Sequence, residues 1–265
     1  MKSLILRLGF WVLLGMATLP SARALVIFGG ATGHTTNPGG GLPWANVGNT
    51  GIYLGAYNTG YWIITANHVG SASIILGGVT YVSIAGSAQQ IGSTDLLLYR
   101  INVSGGAPAL SNLTISANSP IVGQPVVMIG DGSGTMTWGN NNVDRYGLYT
   151  LETDGPQTYG LFTTYSSIAG EAQAQGGDSG GALFYQTATD TWQLNGILSG
   201  IGTSGGIQFT ASVATSFYYS QIVAIVGIPL AAVPEPAAWA TLLGSAALLG
   251  TLLVRRRGTL RTDNE

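Results

Sequence analysis

The sequence predicts an all-β fold with one short helix late in the chain. Two observations carry that expectation. Short β-branched and aromatic runs recur between clusters of Gly, Asn and Ser, the pattern of strands joined by tight turns. Only Thr215–Val226 has the spacing and length of a helix. A third observation sets the extent. No internal repeat is evident, so the stretch between two hydrophobic ends forms one large unit or two small ones.

Taken in order, strands are expected at Gly51–Leu54, Tyr61–Thr65, Ser73–Leu76, Val79–Ile84, Leu96–Val103 and Pro125–Ile129. They continue at Tyr146–Thr153, Gly160–Tyr165, Ala182–Tyr185, Trp192–Leu198 and Ile207–Ser212. The joints Gly39-Gly40-Gly41 and Gly205-Gly206 suit turns that need positive φ. Gly105–Pro120, rich in Gly, Pro, Asn and Ser, reads as the internal linker.

Charge and cysteine content remove several functions. Only 8% of the 265 residues are charged and 46% are hydrophobic, which excludes a disordered chain. The absence of cysteine excludes a disulfide scaffold, a zinc finger and a thiol nucleophile. A net charge of −2 gives no reason to expect a nucleic-acid partner. The basic residues gather at the ends, and between positions 25 and 233 only Arg100 and Arg145 remain against eight acids. Scattered carboxylates and two histidines suggest no metal site, and no cofactor is expected.

The ends explain the apolar excess. Residues 1–24 read as a secretory signal peptide: Lys2 and Arg7, an apolar run from Leu8 to Leu19, and the small-x-small pattern Ala22-Arg23-Ala24. Ala237 to Val254 would rise about 27 Å as a helix, just enough to span a bilayer. It follows Pro234-Glu235-Pro236 and precedes Arg255-Arg256-Arg257. That tripartite order, over residues 233–258, resembles the bacterial PEP-CTERM sorting signal. The resemblance implies signal peptidase and an exosortase-type sorting enzyme as partners. It also implies a single transmembrane helix with residues 259–265 as a cytoplasmic tail, and a final place at the cell envelope, surface or extracellular matrix. The middle, residues 25–232, is expected to be soluble and to face the periplasm while anchored.

Gly176-Gly177-Asp178-Ser179-Gly180-Gly181 is the most informative stretch for chemistry. A serine hydroxyl is a weak nucleophile without a base. Flanking glycines allow a sharp turn whose N–H groups can meet a developing oxyanion. Of the two histidines, His34 lies in a Gly/Thr/Asn-rich segment and reads as a solvated loop residue. His68 follows the apolar run Trp62–Ala66. Asp95 opens another apolar run, Leu96-Leu97-Leu98, and a partly buried carboxylate there needs a partner. Asp131 and Asp144 are the other carboxylates that could serve.

These three motifs, in the order His, Asp, Ser, resemble the chymotrypsin/trypsin superfamily of serine endopeptidases. Thr65-Ala66-Asn67-His68 is similar to the histidine motif, with Asn67 where alanine is usual. Asp95-Leu96-Leu97-Leu98 is similar to the aspartate motif, and Gly177-Asp178-Ser179-Gly180-Gly181 matches the serine motif. Over residues 27–226 the resemblance implies two antiparallel six-stranded β-barrels, at about 27–110 and 120–226, with a short C-terminal helix. It implies a triad of His68, Asp95 and Ser179 that hydrolyses a protein or peptide substrate through an acyl-enzyme. Gly177 and Ser179 would supply the oxyanion N–H groups, and Ser199, Gly200 and Ile201 would border the substrate. Gln173 would floor the side-chain pocket, and Ile201 would narrow it toward small or medium neutral residues. Asp178 would either cap local N–H groups or pair with a new α-amino group, made by the signal cut after Ala24 or by further trimming of Leu25-Val26 to Ile27-Phe28-Gly29-Gly30. The same sequence also suits a non-catalytic matrix-binding protein on this scaffold, or a protease that cuts only itself.

Overall fold

β-branched and aromatic runs become strands wherever a neighbour can satisfy their backbone polar groups. A computed structural model describes residues 24–30, 32, 34–57, 60–132, 134–152 and 155–227. The first strands are Val26–Ile27 (β1), Val47–Gly48 (β2), Gly51–Tyr57 (β3), Gly60–Thr65 (β4), Ile74–Leu76 (β5), Val79–Tyr81 (β6), Gln89–Gln90 (β7) and Leu97–Arg100 (β8). Then come Pro125–Gly130 (β9), Thr137–Asn142 (β10), Arg145–Tyr149 (β11), Thr158–Tyr165 (β12), Ala172–Gln173 (β13), Ala182–Ala188 (β14), Thr191–Ser204 (β15) and Ile207–Ala214 (β16). The α-helix Tyr219–Val226 (α1) follows, closed by Gly227 in the left-handed conformation.

The strands form a five-stranded sheet, β2-β3-β4-β8-β7, and a seven-stranded sheet, β10-β9-β14-β15-β16-β12-β11. Two pairs stand apart, β5 with β6 and β1 with β13. These ladders differ from the expected six strands in each half, for two reasons. Gly77 and Gly78 turn β5 back on β6 with φ of 56° and 81°, so that hairpin leaves the first sheet. β10, which the sequence hid, pairs along all of β9 and enlarges the second sheet. Each sheet has its own core. The first buries Tyr53, Ile63, Ile74, Leu97, Tyr99 and their neighbours. The second buries Val126, Met128, Leu161, Leu183 and Leu198, together with Leu25 and Ile27 from the start of the described chain.

The expected linker lies between the two cores and touches both. The N–H of Leu113 donates to the Leu54 carbonyl at 2.7 Å. Beyond it, the N–H of Leu194 donates to the Thr114 carbonyl at 2.9 Å. The helix expected from Thr215 starts at Tyr219, because residues 215–218 form turns instead. Among the described residues, no helix is long and apolar enough to cross a membrane. The signal peptide through Arg23, the PEP-CTERM segment 233–258 and the tail 259–265 lie outside the described residues.

Candidate active site

β4 ends at Thr65, and the chain turns at once through a single 3-10 turn, Asn67–Val69. His68 therefore stands at a strand end with its ring half exposed. Asp95 sits in the turn before β8 and is only 8% exposed. Its Oδ1 accepts the His68 backbone N–H at 2.9 Å. Both its oxygens lie 2.9 Å from His68 Nδ1. A carboxylate only accepts, so Nδ1 donates and Nε2 is left as the ring's acceptor. The hydrogen bond to Asp95 holds the imidazole pKa above its ordinary value of 6.5; partial burial opposes this and the Asp95 charge adds to it. Two residues that the sequence reading passed over complete the surroundings of Asp95. Its N–H donates to Thr158 Oγ1 at 2.9 Å. The Tyr149 hydroxyl is also buried near Asp95 and Ser199, and that burial raises its pKa, with the Asp95 charge adding.

Ser199 links this pair to the glycine-rich turn. It is the extra residue of a β-bulge, since Leu198 faces Ser212 while Gly200 already faces Ala211. A bulge re-aims one side chain without ending the strand. The Ser199 hydroxyl thus reaches across to donate to Asp95 Oδ2 at 2.5 Å. The Ser199 carbonyl oxygen lies 3.4 Å from the Ser179 hydroxyl and can accept its proton. The serine turn itself is pressed against the histidine strand. A Cβ on Gly180, where φ is 86°, would lie 2.6 Å from Thr65 Oγ1 and 3.0 Å from the Thr50 carbonyl oxygen. Gly177 has φ of 100°. The turn's N–H groups at Asp178, Gly180 and Gly181 donate to Gln175, Leu198 and Asp178 carbonyls. Among the described residues, those of Gly177 and Ser179 donate to no protein group.

Asp178 points away from the cleft and is 1% exposed. Its carboxylate accepts three backbone N–H groups: Gln175 at 2.7 Å, Gly132 at 3.0 Å and Leu25 at 3.0 Å. Burial pushes its pKa up, and those three donors pull it partly back. The expectation of Ile27 at this carboxylate is corrected here. Ile27 is held in β1 opposite Ala172 with its side chain in the second core, and the contact falls to Leu25, two residues earlier. Leu25 also has φ of 25°, a conformation that L side chains rarely adopt.

One groove is lined by the His68–Asp95 pair, and a second adjoins it through Leu151. The smaller, about 190 Å³, is lined by His68, Asp95, Gln90, Glu152, Pro156 and Thr158, among others. The larger, about 400 Å³, runs beside Gly200 and Ile201, and Leu151 lines both. Ile201 is 52% exposed on the rim and does not constrict an enclosed slot. Gln173 is buried in β13 opposite Val26 and lines neither groove. Glu171, its neighbour in sequence, is occupied by the N–H groups of Ser166 at 2.6 Å and Ile168 at 3.2 Å. His34 lies in a loop and is half-buried: its ring packs 4.5 Å from Trp138 and Nδ1 lies 2.9 Å from the Trp138 carbonyl oxygen. Asp144 pairs with Arg145, and Asp131 lies beside Asp178, so neither other carboxylate is hydrogen-bonded to His68.

No family model matches the sequence, and no curated protein matches it. Solved structures do show likeness. The active form of the Rv3671c protease from M. tuberculosis is similar over 64% of this chain and 70% of its own, at 17% identity and a TM-score of 0.46. The MamO protease domain from Magnetospirillum magneticum is similar over 64% of this chain and 86% of its own, at 16% identity and a TM-score of 0.45. The HtrA-type protease AlgW, solved with a decapeptide, is similar over 67% of this chain and 51% of its own, at 18% identity and a TM-score of 0.47.

Proposed function

We propose that the chain is an exported serine endopeptidase whose two sheets are the two barrels of a trypsin-like fold. The observation that carries this reading is the hydrogen-bonded series His68–Asp95–Ser199–Ser179 beside the unpaired N–H groups of Gly177 and Ser179. In this reading Ser179 attacks the scissile carbonyl and His68 Nε2 takes its proton, then returns it to the leaving amine. Asp95 fixes the ring tautomer and stabilises the imidazolium. Gly177 and Ser179 hold the oxyanion. The substrate backbone lies along Ser199, Gly200 and Ile201. Small or medium neutral side chains precede the cut, because Glu171, the carboxylate closest in sequence to the expected pocket floor, is spent on backbone donors. Gln173, buried in β13 opposite Val26 and lining neither groove, has no substrate contact in this reading.

The reading extends to activation. A cut after Ala24 would turn the Leu25 N–H into an ammonium group already positioned at the buried Asp178 carboxylate. It would also remove the peptide bond that defines the strained φ of Leu25. Export by the first 24 residues and sorting at 233–258 belong to the same proposal. N-terminal sequencing of the protein from its host tests the cut, with Leu25 as the expected first residue.

A fluorophosphonate probe on the full chain tests the chemistry. Labelling of the wild type that disappears in Ser179→Ala is the expected result. A folded wild type that takes no label points to the second reading, a non-catalytic binding protein.

A further inference from the structure

We infer that the larger groove selects an acidic side chain a few residues before the cleaved bond, and that Arg145 reads it. The inference rests on the protease reading and names the substrate class for that same site. On one face of β15, Gly200 and Gly202 present no side chain. A Cβ on Gly200 would lie 2.9 Å from Leu151 Cδ2, and one on Gly202 would lie 2.5 Å from the Phe209 ring. Leu151 and Phe209 therefore cover that face, Leu151 nearer to Ser199. The Arg145 guanidinium carbon sits 4.5 Å over the Phe162 ring and 5.3 Å over the Phe209 ring. The aromatic faces hold the cation in the wall of the groove.

Among the described residues, Arg145 is the single charged residue lining that groove. Its Nη1 donates to Asp144 at 2.5 Å, but the two side chains are 45% and 36% exposed. Such an exposed pair is weak and screened, and the guanidinium has five N–H donors in all, so a second carboxylate can share it. The backbone beside it is open as well. β14 reaches β15 only as far as Ala182 opposite Ile197, which leaves the edge from Ser199 to Ser204 without a strand on that side. An extended peptide can add to such an edge. Gly202 stands about 10 Å from Ser199 at the usual strand rise, roughly three substrate residues.

The test uses neutral acetylated decapeptides that differ only by Asp or Asn at the third, fourth or fifth position before the cut. Binding to the full chain carrying Ser179→Ala is read by fluorescence anisotropy, and cleavage by the wild-type chain is read separately. At low salt, one Asp peptide is expected to bind about three- to fivefold more tightly than its Asn partner. Arg145→Gln removes that ratio, and Asp144→Asn, which frees the guanidinium, enlarges it. Equal binding of every Asp and Asn pair overturns the inference, as does a ratio that survives Arg145→Gln. An Arg145-dependent ratio without any cleavage supports the groove and defeats the protease reading instead.

Discussion

His68 is the titratable centre of the molecule's candidate chemistry. Its pKa is raised chiefly by the hydrogen bond to Asp95. A raised folded value gives stability that is complete below the ordinary 6.5 and is lost as pH climbs through the folded value. Activity runs the other way, because only the neutral ring accepts the serine proton. The kcat/KM of the wild type should therefore rise along a limb centred above pH 6.5. Asp95→Asn should shift that limb downward and lower the plateau by orders of magnitude, since an amide cannot hold the required tautomer. Ser199→Ala removes a hydroxyl donor from a buried carboxylate. It should cost about 1.5–3 kcal/mol in urea unfolding. The contact between His68 and Asp95 was expected from the resemblance of their two motifs, since the apolar runs alone left Asp131 and Asp144 open. Tyr149 and Thr158 were not, because nothing local marks a tyrosine or threonine whose partner lies across the fold.

Among the elements, β15 and the serine turn do most to shape the cleft. The half of β15 after Leu198 reads as a loop, being Ser, Gly and Thr but for Ile201. It is a strand because β16 pairs with it residue by residue up to Ser204 opposite Ile207. β10 was hidden for a similar reason. Its Thr-Trp-Gly-Asn-Asn-Asn sequence signals a turn, yet Thr137, Gly139 and Asn141 alternate inward. Gly139 lies where a Cβ would come within 2.5 Å of Ala172 and Ile27. The buried Asn141 amide donates to the Thr164 and Ala172 carbonyls. Tertiary pairing overrides local propensity where buried polar groups find partners. The serine turn has no such latitude. Gly180→Ala should destabilise by about 2–3 kcal/mol, because positive φ and the Thr50 carbonyl both resist a side chain. Urea unfolding of the full chain would measure it, and the fluorophosphonate label should weaken in parallel.

Taken whole, the chain divides its charge and its hydrophobicity by position, with apolar and basic ends around a neutral polar middle. The start of the described chain belongs to the second core rather than the first, since Leu25 and Ile27 pack there and β1 pairs with β13. Asp178 is the electrostatic weak point of that arrangement. Its raised pKa means that stability present below the ordinary 3.8 is lost as pH rises through the folded value. An ammonium at Leu25 would oppose that loss. A chain beginning at Leu25 should therefore melt about 3–6 °C above the uncut chain at neutral pH, and Asp178→Asn should abolish the difference. Differential scanning calorimetry of the four proteins would decide it. The burial of Ala24 and Leu25, at 0% and 1% exposure, carries one more implication. Proteases act on accessible, extended chain. The bond joining these residues is thus out of reach once the fold has closed, so cutting must precede closure. In the proposed reading, a molecule that folded before the cut would be locked in the uncut form, and the order of events would itself hold back activity until export.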